Sequence, residues 1–184
     1  MKLASLLVVP LMLAVPTIAF EQSAIQTLRV ATTAAGAYHS KFPQALSEGP
    51  EAAISNINSA TARAADEAKA AMTGLTVQSQ SNKGQCHQLA GALKGYFDAM
   101  TTLSHDATNP AVFCSKNIDR LGPSMGWNLR LVRYGIEPYA ATLKRDCKDG
   151  EKLVAGLAGG YKIVVDSLEQ AQAMLESPQG KCKQ

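Results

Sequence analysis

The sequence predicts an all-α protein, an up-and-down bundle of four to five helices closed by two disulfides. Three observations carry this. Apolar residues recur at steps of three and four, and no long segment alternates apolar and polar residues as a strand would. Pro and Gly punctuate the periodic segments where helices should start or stop, at Pro43, Gly49-Pro50, Asn109-Pro110, Gly122-Pro123 and Gly150. Four cysteines follow an N-terminal export signal, so they meet an oxidising compartment.

The export signal occupies residues 1–19. Lys2 supplies a cation, an apolar run of about thirteen residues follows, and Ala19 is a small residue suited to cleavage. The run is shorter than the roughly 20 residues that a bilayer requires. Residues 20–184 suit a single helical-bundle domain. No later segment is apolar enough to span a membrane, and the polar C-terminal stretch SPQGKCKQ lacks the apolar run of a lipid-anchor signal. The expected destination is therefore outside the cell, or the periplasm of a bacterium. Charge is close to balanced, with 18 Lys+Arg, Lys2 among them, against 15 Asp+Glu. A nucleic-acid partner would call for a clustered basic face, so none is expected.

The helices follow in order. Ile25, Leu28, Ala35, Tyr38 and Phe42 line one face of a first helix ending near Pro43. Gly49-Pro50-Glu51 starts a second, with Pro in the first turn and an acid beside it. Its apolar face runs Ile54, Ile57, Thr61, Ala64, Ala68, Ala71 and Leu75, and its alanines favour the helix intrinsically. After the polar break from Gln78 to Gln85, a third helix carries Leu89, Leu93, Tyr96, Met100 and Leu103 and stops before Asn109-Pro110. A loop through Cys114 leads to a fourth helix that starts at Gly122-Pro123 and ends near Cys147. The fifth has Val154, Leu157, Tyr161, Val164, Leu168, Ala171 and Leu175 in strict alternation of three and four. Ala90-Gly91 with Gly95-Tyr96 is echoed by Ala155-Gly156 with Gly160-Tyr161. Either a duplicated hairpin or a shared need for close backbone approach accounts for the echo.

Cys86, Cys114, Cys147 and Cys182 allow three pairings. Metal binding would want close pairs of the C-x-x-C kind, which are absent. A helix of about 22 residues is roughly 33 Å long, whereas the Cα atoms of a disulfide lie within about 7 Å. In an alternating bundle Cys86 and Cys147 share one end, and Cys114 and Cys182 share the other. The expected bridges are thus Cys86–Cys147 and Cys114–Cys182, with the serial pairing as alternative.

Catalytic signals are sparse. Neighbours on a helix point about 100° apart, so Ser104-His105-Asp106 cannot form a hydrogen-bonded triad among themselves. The His105-Asp106 pair resembles the small secreted phospholipases A2 of bacteria and fungi. In that family a Cys shortly precedes the His-Asp pair and a calcium loop accompanies it. Here Leu103-Ser104 precede and no Gly-rich loop does, so the likeness covers two residues. The four-Cys helical scaffold is also similar to the secreted plant inhibitors of pectin methylesterase and invertase. Their first two Cys lie near the mature N-terminus, whereas the first here is Cys86. No metal site and no cofactor motif is expected, and no catalytic residue is assigned.

The stretch MGWNLRLVRYGIEPY, from Met125 to Tyr139, is the candidate binding element. Met125, Leu129, Val132, Ile136, Tyr139 and Leu143 fall in one stripe, the core face. Trp127, Leu131, Tyr134 and Pro138 fall nearly opposite, with Arg130 and Arg133 along one edge. The second stripe is either another core face or a partner surface built from Trp127, Arg130, Leu131 and Tyr134. Leaving each large apolar side chain wet forgoes about 1.5–3 kcal/mol, which favours burial. Pro138 should also kink the helix. The expected role is non-catalytic binding of another protein or a surface component, as an effector, inhibitor or surface-associated factor. The alternatives are a small hydrolase using His105, and a carrier of an apolar ligand, which would require a cavity in the bundle.

Overall fold

The computed structural model describes residues 18–74 and 83–177, with side chains described at 24–70 and 85–177. The predicted signal peptide lies outside these residues except for Ile18 and Ala19. Helices α1 (Ile18–Glu48), α2 (Pro50–Gly74), α3 (Lys83–Ala107), α4 (Pro110–Phe113), α5 (Ile118–Asp146) and α6 (Gly150–Glu176) account for nearly all of the described chain. No strand occurs among the described residues.

Most expected core positions are buried. Ile25, Leu28, Ala35 and Phe42 of α1 and Ile54, Ile57, Thr61, Ala64 and Ala68 of α2 face inward. Ala71 and Leu75 lie outside the residues whose side chains are described. Leu89, Leu93, Tyr96, Met100 and Leu103 of α3 are buried, as is the whole Met125–Leu143 stripe of α5. The five long helices form a ring in the order α1, α2, α5, α6, α3, each packed mainly on two neighbours. α3 and α5 face each other across the ring and hardly touch.

Three boundaries differ from the sequence expectation. α1 does not end at Pro43 but continues to Glu48. Pro43 is exposed, so the carbonyl it leaves without an amide partner can turn to water, while Ala45 beyond it is buried and holds the last turns in place. The chain then turns at Gly49, whose φ of 114° suits a residue without a Cβ, and the Gly49 amide donates to the carbonyls of Ala45 and Leu46. A short α4 replaces the expected loop, capped where the Asn109 side chain accepts from the Ala111 amide at 3.0 Å. α5 begins at Ile118, ahead of Gly122-Pro123, and its helical course runs through both Pro123 and Pro138. Gly122 is not a stop signal. A Cβ there would lie 2.4 Å from the Leu175 carbonyl oxygen, so it is a point of close approach between α5 and the end of α6.

Glu51 fixes the start of α5. Its carboxylate accepts from the Lys116 amide at 2.7 Å, from the Ser115 hydroxyl at 3.0 Å and from the Asn117 side chain. The Lys116 amide does most to hold the Glu51 carboxyl below its ordinary 4.5, with Ser115 and Asn117 assisting. The stability this contributes is present above pH 4.5 and is lost as pH falls through the lowered value. Glu51→Gln should therefore lower stability at neutral pH and flatten the part of the acid limb that lies below pH 4.5. Urea midpoints measured across that limb check this, and parallel limbs in the two proteins would contradict it.

Cys86 and Cys147 form a disulfide with Cα atoms 6.0 Å apart, joining the start of α3 to the end of α5. Where two bridges were expected, one is seen among the described residues, because Cys182 lies outside them. No free cysteine occurs among the described residues. Of the four echoed glycines, a Cβ at Gly91 or Gly156 would meet nothing within 4 Å, whereas one at Gly95 or Gly160 would meet a side chain, Thr32 at 3.9 Å and Phe97 at 3.4 Å; among the described residues no neighbouring backbone comes that close to any of them.

Candidate functional site

The last helix departs most from its sequence pattern. Val164, Leu168, Ala171 and Leu175 are fully buried, but Val154, Leu157 and Tyr161 are only half-buried. The physical cause is the gap between α3 and α5. α6 packs on both, and residues of its first half line the space between them. That space is a cavity of about 320 Å³. Leu93 and Phe97 of α3 lie at its base, both buried. Ala140, Ala141 and Lys144 of α5 form one wall, and Val154, Leu157, Ala158 and Tyr161 of α6 form the other. Ala141, Lys144 and Ala158 are exposed and mark its mouth. The Phe97 and Tyr161 rings meet edge to face, their centroids 6.2 Å apart. Burial pushes the Tyr161 hydroxyl up from its ordinary 10.0.

The cavity exists because α5 offers only alanines at 140 and 141, too small to fill the space beneath α6. Its size falls within the usual range for small-molecule sites, about 300–1,000 Å³. Apolar space of this kind is poorly suited to water and well suited to hydrocarbon.

The outer face of α5 is not a second core face. Trp127 is 52% exposed and Tyr134 49%. Leu131 between them is half-buried. The Arg130 guanidinium lies over the Trp127 ring, 5.5 Å from its centroid, and that of Arg133 over Tyr134 at 5.0 Å. Arg130 pairs with Glu176 at 3.4 Å and Arg133 with Glu169, both acids on α6. The expectation of burial fails because α2 and α6 flank α5 and, among the described residues, no further long helix covers it. Each cation–π contact at such an exposed site is worth about 0.5–1 kcal/mol, which offsets part of the cost of leaving the rings wet.

His105 and Asp106 point to different neighbours. Asp106 is buried and lies 2.7 Å from Nδ1 of His39 on α1, tying α1 to α3. Burial raises its carboxyl above the usual 3.8, while His39 opposes the rise. His105 is exposed and lines a polar dent of about 60 Å³ with Thr101, Ser104, Thr108, Ser167 and Gln170. Among the described residues no carboxylate lines that dent, and Ser104 spends its hydroxyl on the Met100 carbonyl at 2.8 Å. The orienting acid that a hydrolase would need beside His105 is engaged elsewhere. Among the described residues no group of three or more His, Cys, Asp or Glu could hold a metal ion, and no helix is long and apolar enough to cross a membrane.

Sequence reasoning named the α5 face but missed the cavity. Its trace in the sequence is the run of small residues Ala155-Gly156, Ala158-Gly159-Gly160 beside the α6 stripe, opposite Ala140-Ala141.

The chain is 75% identical over 210 aligned positions to an uncharacterized secreted protein of Arthroderma benhamiae, with all of both chains covered. No family profile matches it, and no solved structure does.

Proposed function

We propose that this chain, which belongs to the same family as the secreted protein of Arthroderma benhamiae, is a non-catalytic binding protein that carries a small apolar ligand. The protein is secreted. One observation carries the proposal: the cavity of about 320 Å³ under the half-buried first half of α6. Val154, Leu157 and Tyr161 leave part of their apolar surface uncovered there, and full burial of a large apolar side chain is worth about 1.5–3 kcal/mol. A ligand that fills the space completes that burial. N-phenylnaphthylamine, a neutral apolar dye, should bind saturably with a rise in fluorescence. Ala140→Phe, which fills the wall from within, should abolish the signal with the fold intact by circular dichroism. Absence of saturable binding, or equal binding by the filled variant, overturns the proposal.

The outer face of α5 supports a second reading, contact with another protein as an effector, inhibitor or surface-associated factor. Exposed Trp127 and Tyr134 and the adjacent Arg130 are residue types enriched at interface hot spots, and half-buried Leu131 adds apolar surface between the two rings. Capture of one defined partner by wild type and not by Trp127→Ala combined with Arg130→Ala supports it; equal capture removes it. A second bridge, Cys114–Cys182, belongs to the same proposal. Leu175, near the end of α6, packs beside Gly122 at the Cys114 end of the bundle. A non-reducing peptide map that links Cys114 to any other residue overturns that bridge.

A further inference from the structure

We infer that the cavity takes a monomeric medium-chain carboxylate, its head group at Lys144 and its tail against Leu93 and Phe97; the inference rests on the carrier reading above. Of the nine described residues that line the cavity, Lys144 alone is charged. Its ammonium makes no ion pair within the described protein. The neighbouring Arg145 differs, being held to Asp146 by two hydrogen bonds at 2.6 and 2.7 Å. A single unpaired cation at the rim of an apolar hollow selects an amphiphile with one anionic end.

The direction and length of the ligand follow from the helices. α5 and α6 run antiparallel from the turn between Asp146 and Gly150, so Lys144 and Val154 lie at the turn end of the cavity. Tyr161 lies seven residues further along α6, about 10 Å of helix rise. There the Phe97–Tyr161 pair closes the far end. A tail anchored at Lys144 therefore has about 10 Å of apolar lining to follow, which suits a medium chain and leaves a long one projecting.

Displacement of N-phenylnaphthylamine tests the inference. Decanoate should displace the dye about threefold to fivefold better than decanol, the worth of one partly exposed charge pair. Decyltrimethylammonium should be the weakest of the three. Lengthening octanoate to decanoate should strengthen binding roughly tenfold, since each buried methylene contributes, and hexadecanoate should gain little more. Lys144→Met should erase the preference for decanoate without weakening decanol, and Lys144→Glu should turn it toward decyltrimethylammonium. If the dye binds but the three head groups compete equally, the inference fails and the carrier reading stands. If the dye does not bind at all, both fail. Sedimentation with phosphatidylglycerol vesicles that decanoate does not reverse would point to a lipid surface and overturn the inference.

Discussion

Replacing Cys86 and Cys147 together by Ser should lower stability by about 2–4 kcal/mol. The bridge spans 61 residues of sequence, so its loss frees a long loop in the unfolded chain. For a domain of this size such a loss moves the melting temperature by roughly 5–15 °C. The effect should reach function as well. α3 and α5 hardly touch each other, and the disulfide ties them directly at the end where Lys144 lies. Without it the two sides of the cavity are joined mainly through α6, and dye binding should weaken more than the loss of global stability alone explains. Thermal unfolding and dye titration of the double variant check both parts. An unchanged melting temperature would show that the bridge only decorates a bundle stable without it.

The helices were legible because each carries an apolar stripe that only a helix can gather on one side. Met125, Leu129, Val132, Ile136, Tyr139 and Leu143 are spaced for the core, and all six are buried. Helix ends were read less well, because Pro and Gly have more than one use. Pro43 costs α1 one hydrogen bond at an exposed position, and the buried Ala45 beyond it keeps the helix going. Gly122 reads as a stop in one dimension. In three it is a close contact between α5 and the end of α6.

The functional surface was legible in part, for a related reason. The double-striped pattern of α5 identified Trp127 and Tyr134 as unusual, but whether they are covered depends on the order of helices around the ring, which periodicity does not encode. The cavity was hidden in the opposite way. Strict spacing along α6 implies continuous burial, yet burial needs something to pack against. Ala140 and Ala141 leave the space opposite Leu157 unfilled, and the separation of α3 from α5 keeps it open.

This contrast within one helix makes a quantitative prediction. Leu168→Ala should cost about 2–5 kcal/mol, because Leu168 is 1% exposed and its removal leaves a void that close-packed neighbours cannot fill. Leu157→Ala should cost less than about 1 kcal/mol. Leu157 carries the same side chain on the same stripe, but it already borders an unfilled cavity, so truncation removes fewer contacts and creates no new enclosed void. The order should reverse in binding: Leu157→Ala weakens the dye by about one large apolar contact, while Leu168→Ala leaves its affinity unchanged at temperatures where the variant is folded. Chemical denaturation and dye titration of the two variants separate these outcomes. Equal costs would mean that the first half of α6 packs as tightly as the second, and the cavity would lose its place in the account. A large stability cost at Leu168 with little at Leu157 is what a helix divided between structural and ligand-facing halves requires.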